Sequence, residues 1–173
     1  MSSMWVNFTI LALVTLQRLA EMFIAQRNTR RLLENGGVEV GSGHYPVIVI
    51  FHAAWLAGLW YLVWGHPIVW PWVIAYLVLQ AARGWIIAAL GSRWTTRIIV
   101  VPGETLNTSG PYQYFRHPNY MIVAAEIFIL PMVFDLWIYA LVTGAINIAI
   151  LAWRIRDEEA ALKPLRNQEP PAD

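Results

Sequence analysis

The sequence predicts an all-α integral membrane protein with about five transmembrane helices, and three observations carry this prediction. Hydrophobic residues make up 58% of the 173 residues, above the roughly 45–50% of soluble domains, and the mean hydropathy is +0.48. These residues fall into long apolar runs. Arginine and lysine lie in small groups at the ends of the runs, where the polar surfaces of a bilayer would receive them.

Each predicted span is one apolar run bounded by charged residues or turn signals. Pro118 suits the first position of a helix, because that position needs no amide hydrogen. Asp135 marks a very tight turn, so we expect the last two spans to form a helical hairpin. We place the five spans at about residues 5–25, 47–65, 69–90, 118–134 and 136–153.

The segments between the spans are predicted to lie outside the hydrocarbon. Residues 32–45 contain four glycines among polar residues and read as a loop. Residues 91–115 mix charged and apolar residues, which indicates an interfacial segment, part of it folded over a pocket. After the fifth span the helical pattern continues as a cytosolic tail until Pro164. We expect one domain over residues 1–166 and a disordered tail over 167–173.

Basic residues set the predicted orientation. Three arginines follow the first span, three lie between the third and fourth spans, and four basic residues lie in the tail, whereas the turns at His66-Pro67 and at Asp135 have none. By the positive-inside rule the N-terminus lies outside and the polar loops and C-terminus are cytoplasmic.

Composition argues against several kinds of function. The chain has no cysteine and four scattered histidines, which argues against a metal site. A net charge of +1, without a basic face, argues against a nucleic-acid partner. The expected surroundings are the lipid bilayer.

Several polar residues lie inside the predicted spans, where they are costly unless they face the bundle interior. These residues have two interpretations. They form an internal structural ion pair, such as Arg18 with Glu21, or they line a chamber that binds a substrate. Arg83 either extends toward the nearer interface or pairs inward with Glu21 or Glu126. The residues concerned are Gln17, Arg18, Glu21, Arg83 and Glu126.

The segment 110–120 gathers polar and conformationally special residues in an otherwise apolar chain. Gly110-Pro111 reads as a turn, and Arg116 and His117 lie at the entrance of the helix that begins at Pro118. A helix N-terminus with a cation and an imidazole would hold an anionic group well. The alternative is a basic loop that ends in a helix cap. Glu158 and Glu159 emerge on the same side of the membrane, so they should lie close to this segment.

These motifs resemble the isoprenylcysteine carboxyl methyltransferase family. The resemblance rests on Gly110-Pro111-Tyr112, on Arg116-His117-Pro118 followed by Tyr120, and on Arg154 with Glu158-Glu159. It implies methyl transfer from S-adenosylmethionine to a lipid-embedded acceptor, with the cofactor in a cytosol-facing pocket between the hairpin and the tail. The cofactor-binding residues it implies are Tyr112, His117, Pro118, Tyr120, Arg154, Glu158 and Glu159.

A second, looser resemblance is to a bacterial branch of the family associated with O-methylation of long-chain alkylpyrones, which implies a bacterial inner membrane. It rests on Arg27-Asn28, residues 36–39, His44-Tyr45-Pro46, Asn119 and Glu126. The residues expected to bind the acceptor are Gln17, Arg18, Asn28, His44, Tyr45 and Glu126.

For the reaction itself, the sequence favours methylation of an acidic oxygen, a carboxylate or an enolic hydroxyl, because an arginine can stabilise its ionised form without a strong base. The candidate catalytic residues are Arg116 and Arg83, which would hold the anion, and Glu21 in the same chamber. Two alternatives are an NADPH-dependent membrane reductase of the sterol-reductase type and a non-enzymatic lipid-binding protein.

Overall fold

The computed structural model describes residues 2–103 and 109–166, and this part of the chain is mainly helical. The disorder expected over residues 167–173 lies outside the described residues. Short 3-10 turns at Ser42–His44, Gly91–Arg93 and Gly110–Gln113 connect the main elements. In chain order these elements are α1 (Ser2–Glu34), β1 (Val38–Val40), α2 (Tyr45–Leu62), α3 (Trp70–Leu90), β2 (Ile98–Val100), α4 (Pro118–Val133) and α5 (Trp137–Arg166).

The all-α membrane fold is confirmed. Helices α1, α2, α3 and α5 are each long and apolar enough to cross a membrane, and α4 is a shorter apolar helix. With 16 residues, α4 is roughly 24 Å long at 1.5 Å per residue, somewhat less than a hydrocarbon core of about 30 Å. It packs between α3 and α5, which gives it neighbours on both sides.

Helix α1 is longer than the sequence predicts. The expected loop over residues 32–45 begins only after Glu34. Gly36 ends the helix with a φ of +84°, a conformation that glycine adopts without steric cost. The amides of Gly36 and Gly37 bond back to the carbonyls of Leu33 and Leu32, which is the usual way to satisfy the last carbonyls of a helix. The polar residues after the apolar run therefore extend α1 beyond its apolar part.

The prediction of a loop over residues 32–45 is also wrong in a second respect, because part of it is a strand. Strands β1 and β2 pair antiparallel, with Val38 opposite Val100 and Val40 opposite Ile98. Ile98 is buried, and both strands contact α5. This small sheet ties the α1–α2 connection to the α3–α4 connection at the end of the bundle where α5 carries its charged residues.

The helical hairpin forms as predicted, with a tight turn between α4 and α5. Asp135 adopts a φ of +57°, which a short polar side chain tolerates better than a branched one. The amide of Leu136 bonds to the carbonyl of Pro131 at 3.1 Å and closes the turn. Helix α5 then runs without interruption to Arg166. Span and tail are therefore one helix.

The apolar core lies at the hairpin-turn end of the bundle, where Leu11, Leu59, Leu130 and Phe134 are fully buried. Large apolar side chains also cover the outside of the helices. Trp5, Phe23, Ile50, Val78 and Ile148 are all exposed, as expected for side chains that face lipid.

The orientation is the first prediction. A reporter enzyme that is active only outside the cytoplasm, fused after Arg166, should be inactive, because the basic residues lie at this end of the bundle. The same reporter inserted between His66 and Pro67 should be active. The reverse pattern of activities would show that the chain is inserted the other way.

Candidate active site

An acidic and aromatic cluster forms where the two ends of the α4–α5 hairpin meet. His117 lies at the N-cap of α4, directly before Pro118 in the first turn. Its Nε2 atom is 3.1 Å from Oε1 of Glu159, and its Nδ1 atom is 3.8 Å from Oε1 of Glu158. The sequence predicts this proximity, and the structure confirms it. We call His117, Tyr120, Glu158 and Glu159 the hairpin cluster.

Tyr120 is the central residue of this cluster. Its hydroxyl donates a hydrogen bond to Oε2 of Glu158 and accepts one from Nε of Arg154 at 2.8 Å. The ring stacks against His117 at 5.6 Å between centroids, and the Arg154 guanidinium lies 5.3 Å from the ring centroid. Tyr120 and Arg154 are both buried. These contacts fix the Tyr120 ring and hydroxyl in one orientation.

Tyr112 lies beside the hairpin cluster, on the 3-10 turn before α4. Gly110 begins this turn with a φ of +57°, and a Cβ atom on it would lie 3.0 Å from the Cβ of Ala89. The turn thus packs closely on α3. Burial, and next the charge of Glu158, raise the pKa of Tyr112 to about 12. Its hydroxyl therefore keeps its proton at physiological pH and can donate a hydrogen bond.

A cavity of about 350 Å³ lies next to the hairpin cluster, inside the bundle. Its walls come from α1, α2, α4 and α5, together with Arg83 of α3 and residues 94–96 of the segment that follows α3. Most of the lining is apolar, for example Ile127 and Leu151. Tyr120 and Arg154 line the cavity and also belong to, or contact, the hairpin cluster. They form the boundary between the two.

Two arginines and two glutamates make a closed network in the cavity wall. Arg83 donates to both oxygens of Glu21, at 2.8 and 2.6 Å, and to Glu126 at 3.0 Å. Arg18 bonds to Glu21 at 2.9 Å and to Glu126 at 2.8 Å. All four residues line the cavity, so the predicted chamber exists and Arg83 pairs inward. We call Arg18, Glu21, Arg83 and Glu126 the ion network.

Two glutamines complete the hydrogen bonds of the ion network. Gln17 donates to Glu21 at 2.9 Å and to Gln80 at 2.6 Å. Gln80 donates to Glu126 at 2.7 Å. Gln17 is predicted to bind the acceptor, but it is not among the cavity-lining residues and supports Glu21 instead. Gln80 is absent from the sequence prediction, although the cost of polar groups at membrane depth applies to it equally.

The other predicted acceptor-binding residues lie in different places. Tyr45 lines the cavity. Asn28 is buried behind the 3-10 turn after α3 and donates to the carbonyl of Trp94 at 2.8 Å. His44 is only 2% exposed and lies 3.2 Å from the carboxylate of Asp157. Asn28 and His44 thus connect loops to helices and do not line the cavity.

Arg116, predicted to hold the acceptor anion, is exposed and is not among the residues that line the cavity. The arginines that do line it are Arg18 and Arg83, in the ion network, and Arg154. Arg154 is 7% exposed and pairs with no carboxylate that the structure describes; its one hydrogen bond there goes to Tyr120. Geometry therefore singles out Arg154 as the cation available to a ligand in the cavity.

Several cavity residues are missing from the sequence prediction. A sequence pattern could have identified only some of them. Asn147 is the one side-chain amide in the apolar run 136–153, which the cost of burying amides could have identified. Trp55 and Trp94 had no signal, because tryptophan is common throughout this chain. Over residues 2–103 and 109–166, no group of three or more His, Cys, Asp or Glu could hold a metal ion.

Comparisons with known proteins support the family resemblance of the motifs in the hairpin cluster. Residues 72–164, more than half of the chain, match the model of the isoprenylcysteine carboxyl methyltransferase (ICMT) family. A protein of Bacillus subtilis (strain 168), described as uncharacterized protein YpbQ, is 35% identical over 159 residues, which cover 89% of this chain and 95% of the relative. An uncharacterized protein of Haemophilus influenzae is 26% identical over 168 residues, which cover 94% of this chain and 97% of the relative. No solved structure matches the chain.

The ion network gives the second prediction. Arg83→Met should lower the free energy of unfolding by about 3–5 kcal/mol, because it leaves Glu21 and Glu126 buried with an incomplete set of partners. Arg97→Met is the matched control, since Arg97 pairs with Glu39 at 2.7 Å but its side chain is 39% exposed. That change should cost about 0–1 kcal/mol. Unfolding in a denaturing detergent series measures both, and equal losses would contradict the prediction.

Proposed function

The chain belongs to the isoprenylcysteine carboxyl methyltransferase family, and from this membership we propose that it methylates an acidic oxygen of a lipid with S-adenosylmethionine as methyl donor. The acidic oxygen is a carboxylate, as in a prenylcysteine, or an enolic hydroxyl, as in a long-chain alkylpyrone. The family is a methyltransferase family, and the chain is an integral membrane protein. The donor and the acceptor are the parts that we propose.

One observation supports this proposal above the others: Tyr120 and Arg154 join the hairpin cluster to the cavity. Arg154 bonds to the Tyr120 hydroxyl, and the same hydroxyl bonds to Glu158. A polar cofactor at the cluster and a lipid in the cavity would thus meet at one pair of side chains. Methyl transfer needs such a meeting point, because the two reactants come from different phases and must be aligned.

The hairpin cluster has the chemistry that S-adenosylmethionine requires. Its carboxylates, Glu158 and Glu159, can accept hydrogen bonds from an ammonium group and from ribose hydroxyls. Nδ1 of His117 is buried and has no hydrogen-bond partner in the described part of the chain, so one polar atom there is left for a ligand. When bound, the cofactor supplies an electrophilic methyl group on a sulfonium.

The residues of this chain would then hold, orient and shield the reactants. His117, Glu158 and Glu159 bind the cofactor, with Tyr112 as a further donor. Arg154 holds the acidic oxygen and favours its ionised form, which is the nucleophilic one. The apolar walls of the cavity hold the lipid chain and exclude water from the reacting atoms. No strong general base is needed for an oxygen that is already acidic.

The ion network has a different role in this proposal. Arg83 bonds to two carboxylates through three nitrogens, so an acceptor anion would have to compete with Glu21 and Glu126 for it. We therefore assign the anion-holding role to Arg154, which the family resemblance had placed at the cofactor. The ion network is kept as the rigid wall that shapes the cavity. We place the cofactor side in the cytoplasm of a bacterial cell, with the acceptor entering from the inner membrane.

The third prediction concerns the cofactor. Glu158→Gln and His117→Ala should each weaken S-adenosylhomocysteine binding roughly tenfold to a hundredfold, since a hydrogen bond to a charged group contributes about 1.5–3 kcal/mol. Calorimetry on detergent-purified protein measures these affinities. Glu39→Gln is the control, because Glu39 pairs with Arg97 on the small sheet, and it should bind like the parent. Thermal stabilisation by NADPH but not by S-adenosylhomocysteine would instead support a reductase.

The fourth prediction concerns the acceptor, and it compares two arginines. Isotope-labelled methyl transfer into a bacterial lipid extract should fall at least about tenfold in Arg154→Met, because the charged partner of the acidic oxygen is lost. Arg116→Met should retain most of the activity. Mass spectrometry of the product should place the methyl group on oxygen. Loss of activity in Arg116→Met alone, or a methyl group on nitrogen, would refute this assignment.

A further inference from the structure

Uncharged polar atoms without partners are concentrated around the cavity. Among the described residues, eight buried side-chain nitrogen or oxygen atoms have no hydrogen-bond partner. Five of them belong to residues that line the cavity: Nε1 of Trp55, Nε1 of Trp94, Oδ1 of Asn119, and Nδ2 and Oδ1 of Asn147. By contrast, the charged residues of the ion network are all paired. The groups in the cavity wall that can bond to a ligand are therefore mainly uncharged hydrogen-bond donors and acceptors.

Asn147 is the extreme case. It is 0% exposed, and neither its Nδ2 nor its Oδ1 atom has a hydrogen-bond partner among the described residues. Two other buried asparagines differ, since Asn7 donates to the carbonyl of His66 at 2.9 Å and Asn28 to that of Trp94 at 2.8 Å. An unpaired buried amide destabilises a protein relative to an apolar side chain of similar size. A ligand that forms hydrogen bonds with this amide would explain why a destabilising residue occupies the position.

The position of Asn147 places it deep in the cavity. It lies on one face of α5 with Ile150, Leu151 and Arg154, all of which line the cavity. Seven residues along a helix correspond to roughly 10 Å, so Asn147 is that much deeper than Arg154. A Cβ atom on Gly144 would contact Phe128 at 3.7 Å, which puts Asn147 near the level of Glu126 across the hairpin.

The described residues of the ion network form no hydrogen bond with Asn147, although the network and Asn147 lie at a similar depth. Oε1 of Glu126 accepts from Arg18 and Gln80, and Oε2 accepts from Arg83. The network is therefore complete without the Asn147 amide. Around Asn147 the cavity lining is apolar, with Ile127 and Leu151 as examples. An anion at this depth would lack a free cation. A carbonyl oxygen would find a donor in Nδ2 of Asn147, and a hydroxyl would find both this donor and the acceptor Oδ1.

We infer that Asn147 forms a second subsite in the cavity, which binds an uncharged carbonyl or hydroxyl oxygen of the acceptor. This inference rests on the proposed function, because it takes the cavity as the acceptor site. It narrows the acceptor to a lipid with two oxygen functions: an acidic one that Arg154 holds, and an uncharged one roughly 10 Å deeper. Nε1 of Trp55, on α2, is a further unpaired donor among the described residues of the cavity wall.

The test compares two probes that differ in one oxygen, dodecan-2-one and dodecane, on detergent-purified full-length protein. The parent should bind the ketone roughly threefold to tenfold more tightly than the alkane, which is the effect of one hydrogen bond. Asn147→Leu keeps the volume but removes the amide, and it should abolish most of this preference. Thr143→Val is the matched control, one turn earlier on α5. Its hydroxyl donates to the carbonyl of Tyr139, and it is not among the cavity-lining residues.

A second measurement guards against misfolding of the variant. Without any probe, Asn147→Leu should have a thermal midpoint equal to or above that of the parent, because it removes an unpaired buried amide. S-adenosylhomocysteine affinity is measured on the same preparations and should be unchanged in both variants. A parent protein that does not bind S-adenosylhomocysteine would refute the proposed function. The ketone preference would still show whether Asn147 binds an uncharged oxygen.

Two results would overturn the inference itself. One is a parent protein that binds ketone and alkane equally. The other is an Asn147→Leu variant that keeps the ketone preference, which would mean that the amide bonds to an internal water and takes no part in acceptor binding.

Discussion

The cost of placing charge in hydrocarbon governs this structure. Two arginines and two glutamates lie within apolar helices, and each carboxylate oxygen accepts a hydrogen bond from an arginine or a glutamine. Because these bonds connect α1, α3 and α4, the ion network fixes how the three helices pack. The same bonds make one wall of the cavity, so the energetic constraint and the shape of the site have a single origin.

The α4–α5 hairpin brings the polar residues of the candidate site together beside the cavity. Its tight turn at Asp135 makes the helices antiparallel, which returns Glu158 and Glu159 to the level of His117. Tyr120 is one turn into α4 and Arg154 one turn before Glu158, so their side chains meet between the cluster and the cavity. A polar site and an apolar site thus share a boundary two residues wide. This arrangement suits the reaction that we propose, between a water-soluble donor and a lipid.

Much of the fold could be predicted from the sequence. The helix order, the hairpin and the start of α4 at Pro118 follow from apolar runs and from proline and turn residues. The end of α1 could not be predicted from hydropathy, because polar residues extend that helix beyond its apolar part until Gly36 stops it. The small sheet was also missed, since a three-residue strand has no periodicity of its own and depends on a partner roughly 60 residues away in the chain.

The sequence by itself determined which residues must avoid lipid and which segments are helical, because hydropathy, charge cost and turn chemistry act locally along the chain. It therefore identified the members of the ion network, while the residues of the hairpin cluster were identified through the resemblance of their motifs to the family. Only the tertiary structure decided the partners. Arg18 reaches Glu126 across 108 residues, Arg154 and not Arg116 lines the cavity, and Asn147 has no hydrogen-bond partner within residues 2–103 and 109–166. The physical reason is that pairing and exposure depend on how helices pack and rotate against one another, which a linear pattern of residues does not specify.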